Sequence, residues 1–267
     1  MQRLQNISKC VLATFAFFTR LPVWRLTTID KCYYERVVPL WPLAGWLTGG
    51  LMAVVFLLAT MLGFTTDIAV ALALISRVLL TGALHEDGFA DFCDGFGGGT
   101  DRESVLRIMK DSHIGTYGVL GLVLYYLLAW STMRAIAIVT FFPLIMIAAD
   151  AASKYFSSYI IYFLPYARKA EEAKNKLVYS RTTLTDWIVS TVLGLLPMVL
   201  LIVFIPDLFP SALLCLVACA ICCLILFFFM HKRIQGYTGD CCGACFILTE
   251  LVFYLSFYLV YLVLAHV

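Results

Sequence analysis

The sequence predicts an all-α fold: a polytopic membrane helical bundle of about seven transmembrane helices, plus a short amphipathic helix at the surface. Three observations predict it. The mean hydropathy of the 267-residue chain is +0.92. Only 13% of its residues are charged, where a soluble domain carries about 25%. Apolar runs recur along it near the roughly 20 residues that a helix needs to cross a bilayer.

Taken in order, the stretch from Cys10 to Phe18 is apolar but too short to cross, and reads as an interfacial or packed helix. Spans are expected at 38–63, 66–84, 114–132, 135–164, 184–206, 208–230 and 244–265. The run at 135–164 is long enough to tilt or to end in an interfacial turn. Between Asp101 and Asp111, Val105, Leu106, Ile108 and Met109 are interspersed with charges, the pattern of a surface helix. Thr100 or Asp101 can cap its start, and Glu103 lies near the positive end of its dipole. Gly97 to Gly99 precede it as a flexible turn, and such a turn feeding a helix can also cradle phosphate. The N-terminal apolar stretch ends at Thr19-Arg20 without a small-residue cleavage site, so the chain is expected to stay intact. With no soluble domain, long linker or internal repeat, residues 1–267 read as one integral-membrane domain.

Basic residues alternate from loop to loop. Arg20, Arg25, Lys31 and Arg36 fall in the first, and Arg102, Arg107 and Lys110 in the segment 85–113. Arg168, Lys169, Lys174, Lys176 and Arg181 fall in 166–183, and Lys232 and Arg233 in 231–243. The intervening turns hold only Arg134. The positive-inside rule places those four loops in the cytoplasm and, with seven spans, the C-terminus outside. A net charge of +2 without a basic, aromatic-interleaved stripe excludes nucleic acid as a partner. Of the ten cysteines, Cys215, Cys219, Cys222 and Cys223 lie in a span as packing residues. Cys241, Cys242 and Cys245 lack the second ligand pair of a zinc site.

The segment Leu84 to Gly99, LHEDGFADFCDGFGGG, concentrates Glu86, Asp87, Asp91 and Asp94 at a membrane edge. If the helix of the second span continues past Leu84, the three aspartates share one narrow face and Glu86 lies to its side. Carboxylates so close repel one another unless protonated or bound to metal. Hard oxygen ligands select Mg²⁺, Mn²⁺ or Ca²⁺, and Gly88, Ala90 and Gly95 leave room for a phosphate. The bland alternative is a solvated helix end balanced by Arg102, Arg107 and Lys110. Acids at a membrane edge favour the functional reading.

A second loop, QGYTGDCCGA at 235–244, sets Asp240 among glycines beside Thr238, with Glu250 two turns into the last span. Asp111 and His113 close the surface helix next to Lys110. Asp150 and Lys154, four apart, can pair with each other, and a substrate contact for Lys154 is the sharper alternative. His85 is either a hydrogen-bonded bystander or an acid–base group.

These blocks together resemble the cobalamin synthase family, the adenosylcobinamide-GDP ribazoletransferases. They are FFTRLPV at 17–23, PLWPLAGWLTG at 39–49, LHEDGFADFCDG at 84–95, IMKDSHIGTYG at 108–118, PYAR at 165–168, and YTGDCCGA with Glu250 at 237–250. The resemblance implies a Mg²⁺-dependent enzyme of the bacterial cytoplasmic (inner) membrane, with its active site on the cytoplasmic face. Its substrates would be adenosylcobinamide-GDP and α-ribazole or α-ribazole 5′-phosphate. The ribose 3′-hydroxyl would attack the phosphorus bonded to the corrinoid arm, GMP would leave, and adenosylcobalamin or its 5′-phosphate would form. Asp87, Asp91 and Asp94 match the pattern HxDGxADxxDG as metal ligands, with Glu86 auxiliary. His85, Asp111 and Asp240 match polar positions with catalytic roles. Lys110, His113, Lys154, Arg168 and Thr238 would hold substrate, although His113 and Lys154 replace expected arginines with less fixed groups. The aromatic-rich last span could pack against lipid or a second copy, making a homo-oligomer.

Two rival classes fit less well. A CDP-alcohol phosphatidyltransferase would carry arginine after Ala90, where this chain has Asp91. An ion-coupled transporter would place its carboxylates near the bilayer midplane within inverted repeats.

Overall fold

The structure, a computed structural model, describes residues 2–168, 179 and 182–265. Lys169, Lys174, Lys176 and Arg181 of the expected basic loop lie outside the described residues. The helices run in the order α1 (Gln2–Phe18), α2 (Lys31–Tyr34), α3 (Trp41–Met61), α4 (Thr66–Thr81), α5 (Leu84–Gly98), α6 (Arg102–Ile108), α7 (Thr116–Ile136), α8 (Phe142–Phe163), α9 (Leu184–Phe204), α10 (Phe209–Ile234) and α11 (Gly239–Ala265). The all-α expectation holds.

The count of seven spans is not confirmed. Among the described residues five helices are long and apolar enough to cross a membrane, or six if α4 and α5 form one broken span. The helix α8 falls outside that set because Asp150, Lys154 and its serines dilute its apolar residues. The second span also does not continue past Leu84. Gly82 and Ala83 both take the left-handed conformation, at φ 65° and 59°, and α5 leaves α4 at 90°. Glycine at a helix end makes that conformation cheap, whereas Ala83 bears about 1–2 kcal/mol of backbone strain.

Small residues let two helix pairs come almost into backbone contact. On α3 a Cβ at Gly45 would lie 2.7 Å from the Ala151 backbone of α8, and one at Gly49 would lie 2.9 Å from Ile147. This is the small-xxx-small packing that joins helices in lipid, where no hydrophobic force draws them together. On the other side of the bundle, α5 crosses α11 at Gly88 and Gly243. A Cβ at Gly88 would lie 3.1 Å from the Asp240 backbone, and one at Gly243 would lie 3.0 Å from the His85 carbonyl.

The core has two parts. One, around Met52, Ala69, Ile145, Met198 and Phe253, joins α3, α4, α8, α9 and the later turns of α11. The other, around Phe18, Trp41, Phe92, Met230 and Phe246, joins α1, α5 and the ends of α10 and α11. Charges buried in the bundle are paired, as their desolvation requires. Arg77 pairs with Glu250 and donates to the Tyr125 hydroxyl at 2.7 Å. Asp150 pairs with Lys154 and accepts from Thr48. Leu120, Leu124 and Leu127 on α7, and Leu213, Val217 and Leu224 on α10, are exposed apolar side chains of the kind that face lipid.

The surface helix forms as α6. Asp101 is its cap, accepting the Ser104 N–H at 2.8 Å while the Ser104 hydroxyl accepts the Asp101 N–H. Val105 and Met109 are fully buried beneath it. The glycine run is not a loose turn. Gly97 and Gly98 complete α5, and the Gly99 carbonyl accepts from Arg233 at 2.7 Å. No phosphate cradle forms there, because Asp101 already occupies the N-terminus of α6.

Candidate active site

Two distant segments meet to build the site. The Tyr237 N–H donates to the Pro165 carbonyl at 3.0 Å, and the Ala167 N–H donates to the Tyr237 carbonyl at 2.8 Å. Tyr166 and Tyr237 thereby form an isolated parallel bridge. The approach needs glycine at 236, where a Cβ would fall 2.4 Å from the Pro165 carbonyl oxygen. One consequence is that Arg168 Nη2 lies 3.9 Å from Asp240 Oδ2, with both side chains largely buried. Thr238 is fully buried beneath them. Its hydroxyl donates to Asp240 Oδ2 at 3.3 Å and accepts the Cys241 N–H at 3.4 Å. Thr238 thus positions Asp240 and does not reach the cavity wall.

Asp240 and Arg168 flank a cavity of about 230 Å³ enclosed by α1, α3, α5 and α11. Its walls are aromatic: Phe18, Trp41, Tyr179 and Phe246, with His85 among them. Phe246 contacts Trp41 and His85 edge-to-face at centroid distances of 5.3 and 5.0 Å. Asp87 lines the same cavity and is exposed, so it marks the open side. Of the residues expected in the site, the structure therefore brings together His85, Asp87, Arg168 and Asp240.

Asp91 is half-buried one turn beyond Asp87 on α5. Asp94 turns away. Its Oδ2 accepts the Gly115 N–H at 2.7 Å and its Oδ1 accepts the Gly118 N–H at 2.8 Å, so it caps α7. Glu86, expected beside the aspartates, faces inward instead. It accepts from Tyr126 at 3.1 Å and lies 3.9 Å from Arg77. Lys154 takes the pairing alternative: it pairs with Asp150 and sits over the Phe246 ring at 5.6 Å, without lining the cavity.

Lys110 and Asp111 line a second, open groove with Arg102, Arg107 and Arg168. Arg168 belongs to both hollows, and its Nη2 also donates to the Leu106 carbonyl at 3.2 Å. His113 is exposed, and its ring lies 2.7 Å from Asp111 Oδ1. That contact and the His113 backbone N–H hold the Asp111 carboxyl below the usual range.

Among the described residues no three side chains of His, Cys, Asp and Glu converge into a ready-made metal cage. The donor set still suits Mg²⁺, which keeps several waters and binds through one or two carboxylates together with substrate phosphates. Asp87 and Asp91, one turn apart, are such a pair. All the cysteines among the described residues are free, and Cys219, Cys241 and Cys245 are fully buried, as packing thiols should be.

Sequence reasoning missed two features. Arg77 is the lone charge in a long apolar run, a signal that was present. The aromatic cavity gave no local signal, because its walls come from positions as far apart as Phe18 and Phe246.

A protein-family model described as cobalamin-5-phosphate synthase matches residues 10–258. A protein of Leptospira interrogans named adenosylcobinamide-GDP ribazoletransferase is 33% identical over 261 residues, covering 96% of this chain and 97% of the relative. Proteins of the same name from Shewanella baltica and Ralstonia pickettii are 36% and 34% identical, covering 91% of this chain and 91% and 92% of their own lengths. No solved structure matches the chain.

Proposed function

The chain belongs to the cobalamin-5-phosphate synthase family, and from that premise we propose that it joins a ribazole nucleoside to adenosylcobinamide-GDP with release of GMP. The observation that carries this reading is the family match over residues 10–258, a stretch that contains every residue lining the aromatic cavity. The relatives' shared name supports adenosylcobinamide-GDP as one substrate, and the resemblance of the sequence blocks supplies α-ribazole or its 5′-phosphate as the other in this reading. A CDP-alcohol phosphatidyltransferase or a transporter is not favoured by these matches.

Phosphoryl transfer requires in-line positioning and neutralisation of charge, with little covalent work for the protein. Asp87 and Asp91 would hold Mg²⁺, which when bound supplies charge neutralisation on the pyrophosphate. Arg168 offers a fixed guanidinium to phosphate oxygens. Asp240 receives the proton of the attacking ribose hydroxyl, held in place by Thr238 and by the backbone bridge at Tyr237. Lys110 and Arg107, in the adjoining groove, are placed to take further phosphate charge. Asp94 serves by fixing α7 against α5. This site faces the cytoplasm of the inner membrane in the orientation that the basic loops favour.

The test is reconstitution. Purified protein in liposomes receives adenosylcobinamide-GDP, α-ribazole and Mg²⁺, and GMP and the cobalamin product are measured. Formation of both is expected, and loss of both on chelation of Mg²⁺. A folded, Mg²⁺-supplied sample that forms neither overturns the reading.

A further inference from the structure

One guanidinium fastens the two segments that meet beside the site. Arg102, the first residue of α6, donates from Nε to the Ile234 carbonyl at 3.0 Å and from Nη2 to the Ala167 carbonyl at 2.7 Å. Ile234 ends α10, and its carbonyl is one of those that a helix end leaves without an acceptor's partner inside the helix. The chain turns left-handed at Gln235, with φ 55°, so no further helical turn supplies one. Ala167 is buried, and its N–H is already given to the Tyr237 carbonyl. Its own carbonyl is the last one before Arg168, and Arg102 takes it.

The helix α6 therefore holds Arg168 from both ends. The main chain before Arg168 is fixed through Arg102, and the Arg168 guanidinium donates from Nη2 to the Leu106 carbonyl, one turn beyond Arg102, at 3.2 Å. The helix is itself anchored by its Asp101 cap and by Val105 and Met109 beneath it. In the sequence Arg102 counts with Arg107 and Lys110 as one more surface cation. In the structure those two are exposed, whereas Arg102 is half-buried and one edge of its fork is spent on main-chain carbonyls. An edge so occupied fixes geometry and is not offered to a phosphate.

We propose that Arg102 is a positioning residue of the reaction, which sets the place of Arg168 by clamping the Ala167 and Ile234 carbonyls and acts through the shape of its fork, not through its charge. The inference rests on the phosphate role given to Arg168 above. Arg168 lines both the aromatic cavity and the open groove, and lies 3.9 Å from Asp240. A slip of the segment 165–168 thus displaces the phosphate-holding group and the partner of the proton acceptor together. Lysine at 102 keeps the charge, but a point charge on a flexible stem has no planar fork to span two carbonyls.

The test is a double-mutant cycle of Arg102→Gln with Arg168→Gln, which isolates whether one residue acts through the other. Two quantities are read, kcat/KM for adenosylcobinamide-GDP and the affinity for inorganic pyrophosphate with Mg²⁺ by calorimetry, both below the thermal midpoints. Arg102→Gln should lower kcat/KM by up to about a hundredfold, as misplacement of a reacting group does. In the Arg168→Gln background the same change should lower it by less than about threefold. Pyrophosphate affinity should follow the same pattern. Arg102→Lys should resemble Arg102→Gln in kcat/KM, and the cycle is run with it where Arg102→Gln fails to fold. If Arg102→Lys turns over like the wild type, or if the Arg102 change costs the same factor with and without Arg168, the proposal fails while the function stands. If the wild type forms no product but the pyrophosphate cycle is non-additive, the function fails and the positioning role stands. A wild type that neither forms product nor binds pyrophosphate overturns both.

Discussion

Asp94 on α5 caps α7, with its two carboxylate oxygens accepting the N–H groups of Gly115 at 2.7 Å and Gly118 at 2.8 Å. Gly115 has no side chain to cap the helix itself, and the acid therefore comes from 21 residues earlier in the chain. A Cβ at Gly118 would lie 2.5 Å from that carboxylate, so the glycine is what admits it.

The first prediction separates this role from metal binding. Asp94→Ala strands two N–H groups at a helix start and should cost about 1–3 kcal/mol of stability. Asp94→Asn keeps one good acceptor and should cost less. Both should leave the Mg²⁺ concentration for half-maximal activity close to that of the wild type. Asp91→Asn should do the reverse, holding the thermal midpoint and abolishing Mg²⁺-dependent turnover. Thermal unfolding in detergent and Mg²⁺ titration of activity read the two effects independently.

The second prediction concerns Arg77 and Glu250. Their pair is buried between α4 and α11, with Tyr254, Tyr125 and the Glu86 carboxylate around it. Removing one partner leaves an uncompensated charge, so Arg77→Met should destabilise the protein by about 3–5 kcal/mol. The double variant Arg77→Met with Glu250→Leu should recover part of that loss, the remainder being the charge of Glu86, which lies 3.9 Å from Arg77 and is buried. A double variant no more stable than Arg77→Met alone would show that the pair is not what Arg77 serves.

How much of this was legible depends on the range of the cause. The spacing of Asp87, Asp91 and Asp94 is local, and the helix that carries them forms as α5. Their division of labour is not local: Asp94 is claimed by Gly115 and Gly118, and Glu86 by Tyr126 and Arg77. Gly82 is a helix-stop signal in the sequence, but the left-handed Ala83 that turns the chain through 90° is not. Alanine offers no sign of such a conformation, which tertiary packing imposes on it. The pairing of Pro165–Ala167 with Tyr237 joins two segments that share no pattern. The family blocks mark both, without showing that they touch.

The third prediction is a pH dependence. The His113 ring and backbone N–H hold Asp111 below the ordinary carboxyl range. A group with a depressed native pKa contributes stability above its unfolded value, near pH 4, and that contribution is lost as pH falls through the native value. Asp111 is thus ionised across neutral pH and is a weak base there. Asp111→Asn should leave the shape of the kcat profile unchanged from about pH 6 to 9. Loss of a limb from that profile would make Asp111 the proton acceptor in place of Asp240.

The fourth prediction uses one substitution at two helix crossings. At Gly45 an added Cβ meets the Ala151 backbone at 2.7 Å, and backbone on a packed helix cannot turn aside. Gly45→Ala must spread α3 from α8 in the core of the bundle, and should cost about 1–3 kcal/mol as an overpacked core does. At Gly88 the Cβ meets the Asp240 backbone at 3.1 Å, which a shift of a few tenths of an ångström relieves. That shift falls on the first turn of α11, where Asp240 faces Arg168. Gly88→Ala should therefore keep most of its stability and lose activity, by up to about a hundredfold, because small displacements of a reacting group are that costly. Melting curves should thus single out Gly45→Ala, and turnover measured below both midpoints should single out Gly88→Ala. Equal effects of the two variants on both readouts would mean that the crossing of α5 and α11 does not position the site.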